Sequence, residues 1–181
     1  VVVGNVPGAG ALERAARAGI PAEVVDHRVV KPRRAFDAEL VRRLDAHRVE
    51  WVVLAGFMRV LTEVVLERFP DRVVNIHPAL LPAFPGLDGQ GQALRAGVKI
   101  AGCTVHLVDA GVDTGPILAQ TAVPVLPDDT EDTLRDRILA EEHALLPAVV
   151  RALAEGRLER AGGRAWLRGA AGAGALRSGL P

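Results

Sequence analysis

Two polar residues near the middle of the chain, Asn75 and His77, have the types and spacing of a proton-transfer site. Residues 73–76 read as a short buried strand, and side chains two apart on a strand face the same side. Pro78 keeps His77 away from helical backbone angles, so the ring leaves the strand on a stiff, extended segment. An imidazole exchanges protons near neutral pH, and an amide N–H donates to an oxygen that gains charge. The pair therefore suits acyl-type transfer.

These residues also have ordinary structural interpretations. A histidine between a strand and a proline is often a packed loop residue whose ring nitrogens bond to the backbone. Asp113 lies in the turn from Gly111 to Gly115, where it can cap its own turn through a side-chain to backbone bond. If the Asp113 carboxylate instead lies near His77, it favours the charged imidazolium and makes the ring a better proton shuttle. Taken one at a time, the residues leave both interpretations open.

Strands alternate with helices along the chain, which predicts an α/β fold with a doubly wound, mostly parallel, Rossmann-like sheet. In such sheets, ligands bind beyond the carboxyl ends of the strands. The loops at Gly56, Asn75 and Asp113 follow predicted strands, so we expect them to converge. Pro124 indicates that the last predicted strand is an edge strand. The predicted strands are residues 1–3, 21–25, 51–55, 73–76, 104–108 and 117–125, and the predicted helices are residues 11–18, 36–47, 61–68, 92–96 and a long helix after a cap at 128–130.

The length of 181 residues, 49% of them apolar, predicts one domain at residues 1–168. The Ala- and Gly-rich residues 169–181 are expected to form a poorly ordered tail. Twenty-two basic residues balance 22 acidic ones, which argues against nucleic-acid and membrane partners. A single cysteine favours a reducing compartment, so we expect a cytoplasmic protein. The histidines lack metal-ligand spacing, so we predict no metal.

Six stretches of the chain occur in a distinctive order, and the resemblance that they carry extends over about residues 1 to 168. They are Ala55-Gly56-Phe57-Met58-Arg59, Asn75-Ile76-His77-Pro78 with Leu80-Leu81-Pro82, Phe84-Pro85-Gly86, Gly102-Cys103-Thr104-Val105-His106, Asp113-Thr114-Gly115-Pro116 and Glu142-His143. Together they resemble the glycinamide ribonucleotide formyltransferases of purine synthesis. The resemblance implies transfer of a formyl group from 10-formyltetrahydrofolate, as co-substrate, to the amine of 5-phosphoribosylglycinamide in de novo purine biosynthesis. It leaves a homodimer open.

The resemblance also implies residue roles. His77 would be the general acid for the tetrahedral intermediate, Asn75 would hold the formyl oxygen, and Asp113 would favour the imidazolium and order a water. Apolar side chains suit a flat pterin, and an arginine suits the carboxylate of a glutamate tail. The implied folate contacts are Arg33, Met58, Arg59, Val60, Leu61, Asn75, Asp109, Ala110, Gly111, Val112 and Asp113. The implied ribonucleotide contacts are Leu139, Ala140, Glu141 and Glu142.

The family normally begins one strand earlier, followed by a Gly- and Asn-rich turn that binds the substrate phosphate. This first strand and phosphate loop are absent from the sequence, which starts inside a predicted strand at Val1, so we expect them to precede it in the full protein. Two alternatives stay open. In a formyltetrahydrofolate hydrolase, water would replace the amine at the same centre. In a folate-binding remnant without the phosphate site, there would be no catalysis.

Overall fold

The structure is a computed structural model in which residues 1–169 are described. These residues form eight strands and five helices, and the predicted α/β fold class is confirmed. The described residues divide into two compact units, one formed by residues 1–52 and 58–72 and the other by residues 53–57 and 73–169. The predicted tail lies outside the described residues, apart from Gly169. No helix within residues 1–169 has the length and apolar character to cross a bilayer.

The first unit contains two short parallel strands and three helices. Strand β1 (Val2–Gly4) is followed by helix α1 (Gly10–Arg17), strand β2 (Ala22–Val24), helix α2 (Arg33–Ala46) and helix α3 (Glu63–Arg68). Apolar side chains recur every four residues along α2, at Phe36, Leu40 and Leu44, and all three are buried. They form the core of this unit together with Val65, which is fully buried on α3.

The second unit is built on a four-stranded sheet in the order β3-β4-β5-β6. These strands are β3 (Val52–Leu54), β4 (Val73–His77), β5 (Ile100–Leu107) and β6 (Ile117–Pro124). Strand β5 is antiparallel to both β4 and β6, whereas β1 and β2 are parallel, so the chain contains both kinds of strand pair. Strand β6 ends the order, as Pro124 predicts, because proline cannot donate to a further strand. Residues 101–107 are all buried, which makes β5 the centre of the unit.

Two helices accompany this sheet, α4 (Gly89–Ala96) and α5 (Glu131–Ala154). Thr130 caps α5 as predicted: the side chains of Thr130 and Thr133 each bond to the backbone N–H of the other residue. On α5, Leu134 and Ile138 pack against Cys103 of β5 and Val123 of β6. The apolar stripe of the helix therefore covers one face of the sheet.

A hairpin follows α5, although the sequence pattern did not predict it. Strands β7 (Leu158–Ala161) and β8 (Arg164–Leu167) are antiparallel, with Leu158 opposite Leu167. Gly162 and Gly163 form the turn, with φ of 56° and 76°. A two-residue hairpin turn of this hand requires positive φ at both positions, which favours glycine.

Candidate active site

The end of strand β4 carries the two side chains from which the prediction started. Val73 and Val74 are buried in the sheet, and they hold the strand so that Asn75 and His77 leave it on the same side. The segment after His77 is fixed by Thr104, which lies opposite His77 on β5. The Thr104 hydroxyl donates to the Ala79 carbonyl (2.6 Å) and accepts from the Leu81 amide (3.0 Å). The His77 ring is therefore carried on a well-anchored exit from the strand.

The His77 ring is buried between two oxygen atoms. Its Nδ1 lies 3.4 Å from Oδ2 of Asp113, and its Nε2 lies 2.8 Å from the carbonyl oxygen of Phe84. Both oxygens are hydrogen-bond acceptors, so a neutral ring would point one lone pair at an oxygen. A ring protonated on both nitrogens satisfies both contacts. Each ring nitrogen of His77 thus faces a hydrogen-bond acceptor.

Asp113 faces the histidine and does not cap its own turn. Its Oδ2 accepts a hydrogen bond of 2.8 Å from the backbone amide of Gly86, and its side chain is only 13% exposed. The turn is capped by Asp109, whose Oδ1 accepts from the Gly111 amide (3.0 Å) and the Thr114 hydroxyl (2.7 Å). Asp113 has a φ of 55°, a left-handed conformation that Asp and Asn tolerate better than most residues. The turn therefore leaves the Asp113 carboxylate free to face His77.

His106 completes this group, although no role in the site was assigned to it from the sequence. It is 2% exposed and lies directly opposite Asn75 in the pairing of β4 with β5. Its Nε2 is 3.3 Å from Nδ2 of Asn75 and 3.5 Å from Oδ1 of Asp113. Burial lowers the pKa of His106, since the charged ring would be desolvated. The strand period identifies the face of β5, but the pairing register, which a single sequence does not give, puts His106 beside Asn75.

The structure therefore brings together the three predicted catalytic side chains, with His106 between Asn75 and Asp113. The predicted turn 109–113 supplies one of the three and lies in the same unit. Among residues 1–169, no group of three His, Cys, Asp or Glu side chains has an arrangement that could hold a metal ion. The chemistry available to this cluster is proton transfer by His77 and hydrogen bonding by the Asn75 amide.

The remaining predicted folate contacts belong to the first unit. Met58 and Val60 are exposed, at 75% and 44%, whereas Leu61 is buried. Arg59 stacks over the ring of Phe36 at 5.1 Å, and its buried Nε has no hydrogen-bond partner within residues 1–169. Met58 and Val60 thus expose apolar side chains to solvent, and the Nε–H of Arg59 is a hydrogen-bond donor without a partner among residues 1–169.

A buried carboxylate fixes the end of this segment. Asp37, on α2, is 1% exposed and accepts hydrogen bonds from both the amide (2.6 Å) and the hydroxyl (2.7 Å) of Thr62. Thr62 is the residue that precedes α3, so Asp37 holds the start of that helix. Arg33 is exposed at the first position of α2.

The four predicted ribonucleotide contacts lie in the middle of α5. Leu139 and Ala140 are exposed, whereas Glu141 and Glu142 are half-buried. Burial raises the pKa of Glu142, and no hydrogen bond joins its carboxylate to any of residues 1–169. Burial also raises the pKa of the Cys103 thiol to about 12, with a smaller contribution from the negative charge of Glu142. The Glu142 carboxylate therefore lies on the side of α5 that faces Cys103 of β5, and it has no hydrogen-bond partner among residues 1–169.

Comparison with known proteins extends this picture. Residues 1–150 match the family model described as formyl transferase. The chain is similar to the phosphoribosylglycinamide formyltransferase of Bacillus subtilis (strain 168), with 43% identity over 153 residues that cover 84% of this chain and 78% of that protein. It is also similar to the trifunctional purine biosynthetic protein adenosine-3 of Drosophila melanogaster, with 52% identity over 156 residues. That match covers 86% of this chain but only 12% of the fly protein.

A solved structure shows the same fold. The crystal structure of glycinamide ribonucleotide transformylase 1 from Symbiobacterium toebii superimposes with a TM-score of 0.89 at 54% sequence identity. The superposition covers 92% of this chain and 78% of that chain.

Proposed function

The chain belongs to the formyl transferase family, and from this premise we propose that it transfers a formyl group from 10-formyltetrahydrofolate to the amine of 5-phosphoribosylglycinamide. The names of the relatives from Bacillus subtilis and Symbiobacterium toebii support this acceptor. The observation that carries the proposal is the position of the His77 ring, which lies between the Asp113 carboxylate and the Phe84 carbonyl. We further propose that residues 1–168 are the formyltransferase domain and that the protein works in the cytoplasm.

In the proposed mechanism, Asn75 and His77 act on the same carbonyl group. When the substrate amine attacks the formyl carbon, the formyl oxygen gains negative charge, and an amide N–H of Asn75 donates a hydrogen bond to it. The imidazolium of His77 gives its proton to the tetrahedral intermediate, so that the bond to the folate nitrogen breaks and leaves an N–H. The amine in turn loses one proton, which a water held by Asp113 accepts and returns to the His77 ring. Protons balance over one turnover.

Binding of the two substrates is assigned to separate segments. We propose that the exposed apolar side chains of Met58 and Val60, with Arg59 and Leu61, contact the pterin and that Arg33 pairs with the glutamate tail, since a guanidinium matches a carboxylate. Backbone groups of the turn 109–113 would meet the hydrogen-bonding edge of the pterin. On α5, residues 139–142 would contact the ribonucleotide, and an amine or hydroxyl of that substrate would supply the partner that the Glu142 carboxylate lacks.

The test is incubation of the full protein with 10-formyltetrahydrofolate, with and without the ribonucleotide, followed by mass spectrometry of both products. We expect tetrahydrofolate and formylated ribonucleotide to form in equal amounts, and only when the amine is present. Release of tetrahydrofolate without the amine would refute the proposal and indicate a hydrolase. Folate binding without turnover would refute it in favour of a binding protein.

A further inference from the structure

The contact between His106 and Asn75 is set by the pairing of strands β4 and β5. The two residues lie directly opposite each other, and the register of β5 with β6 shifts between Val105 and His106. The extra residue of this bulge is Leu118 on β6, opposite the step from Val105 to His106, and bulges often occur beside active sites. Here it accompanies a His106 ring whose Nε2 is 3.3 Å from the Asn75 amide nitrogen.

The other ring nitrogen of His106 determines what Nε2 can do. Nδ1 lies 2.8 Å from the carbonyl oxygen of Leu107, and because a carbonyl only accepts, Nδ1 must carry the hydrogen. The buried ring favours its neutral form, as its lowered pKa indicates. In a neutral ring with hydrogen on Nδ1, Nε2 has a lone pair and accepts. The atom of Asn75 that faces it must therefore be the amide nitrogen.

We propose that His106 is a positioning residue that fixes the orientation of the Asn75 amide, so that the second amide N–H faces the formyl oxygen. This inference rests on the proposed function. Rotation of the amide by half a turn would place its oxygen against the bare Nε2, with two acceptors in contact, and would move the NH2 group, which is the donor, out of this position. His106 thus acts through Asn75 and does not touch the substrate.

The charge state of His106 determines whether its Nε2 accepts a hydrogen bond from Asn75 or donates one to Asp113. Its Nε2 is also 3.5 Å from Oδ1 of Asp113. If the ring were protonated, Nε2–H would donate to that carboxylate and could no longer accept from Asn75. The neutral ring is therefore required for the assigned role.

A measurement of the tautomer tests this inference without any enzyme assay. In the full protein labelled with ¹⁵N-histidine, NMR distinguishes a protonated from a bare ring nitrogen, and the signals of His106 are those that disappear in His106→Gln. We expect a protonated Nδ1 and a bare Nε2 at pH 7.5, with a change in the Nε2 shift when Asn75 is replaced by alanine. A protonated Nε2 would overturn the inference, whether or not the protein transfers formyl groups.

A double-mutant cycle tests the effect on catalysis. Loss of one donor at a developing oxyanion lowers kcat by about 10²- to 10³-fold, so misorienting that donor in His106→Leu should lower kcat by roughly 10-fold or more. In an Asn75→Ala background the same change should lower kcat by less than about 2-fold, because the amide it orients is gone. His106→Gln, whose amide oxygen can accept, should retain most of the activity.

The control is Thr104→Val, on the same strand. Thr104 is buried and bonds to Ala79 and Leu81 but not to Asn75, so its effect on kcat should be the same factor in both backgrounds. An equal loss for His106→Leu in both backgrounds would overturn the inference and leave His106 a structural residue. If His106→Leu does not fold, His106→Gln and the tautomer measurement decide.

Discussion

Replacement of Asp113 by asparagine removes one charge while leaving the local structure in place. Asparagine has nearly the same size, tolerates the left-handed φ of 55° at this position, and can still accept a hydrogen bond from the Gly86 amide through its oxygen. What it lacks is the negative charge 3.4 Å from Nδ1 of His77. The variant therefore tests whether the carboxylate stabilises the charged His77 ring.

The distance gives the size of the expected effect. Two unit charges 3.4 Å apart attract each other by about 5 kcal/mol at an effective dielectric constant of 20. If about half of this is offset by solvation, the loss is roughly 2.5 kcal/mol. Since about 1.36 kcal/mol corresponds to a factor of ten in rate, kcat should fall by about 10²-fold in Asp113→Asn.

The assay is kcat for amine-dependent formyl transfer measured from pH 5 to about pH 9. Because the substitution removes the carboxylate beside the ring, the acidic or the basic limb of the pH profile should differ from that of the wild type. The matched control is Asp88→Asn, which removes an equal charge at another left-handed position (φ 59°) and should retain wild-type kcat. An Asp113→Asn enzyme with an unchanged pH profile and kcat within about threefold of wild type would refute the reasoning.

Three further predictions concern activity and stability. His77→Ala should lower kcat by about 10²-fold or more, by loss of the general acid, with folate affinity by calorimetry nearly unchanged; near-normal turnover would remove His77 from the mechanism. Because burial raises the pKa of Glu142, the folded protein retains a proton that the unfolded chain has lost, and stability falls as pH rises above the usual value of 4.5. Glu142→Gln should therefore melt at a higher temperature than wild type at pH 7 but not at about pH 4; an equal difference at both pH values would contradict this. Thr104→Val removes the buried hydroxyl that bonds to the Leu81 amide, the Ala79 carbonyl and the side-chain amide of Gln120, which should cost about 2 kcal/mol and lower Tm by roughly 4–8 °C. Its control is Thr121→Val, the same change at a half-buried threonine of β6; equal Tm values for the two variants would contradict the assignment.

Local sequence rules gave several features of the fold correctly. The period of two along β4 predicted that Asn75 and His77 share a side, and the cap before α5 was readable because threonine satisfies free amides at a helix start. The edge position of β6 followed from Pro124. Each of these depends only on residues close together in the chain.

Other features depend on contacts between distant segments, which local rules do not reach. The register that puts His106 opposite Asn75 joins residues 31 positions apart, and both possible registers are compatible with the apolar pattern of β5. The left-handed φ of 56° at Phe84 was also unpredictable, because the sequence favours no such conformation at a phenylalanine. The β7–β8 hairpin is different, because it was predictable from local sequence. Two glycines between two short strand-forming segments are a recognised hairpin signal, but the Ala-, Gly- and Arg-rich composition after Gly156 suggested an irregular segment instead.

The hydrogen bond between His77 Nε2 and the Phe84 carbonyl affects the order of steps in catalysis. The carbonyl oxygen lies 2.8 Å from His77 Nε2 and accepts the hydrogen of that nitrogen, while the Gly86 amide donates to Asp113. The ring can deliver that hydrogen to a substrate only after the carbonyl has released it, so each catalytic cycle includes an exchange of partners at one nitrogen.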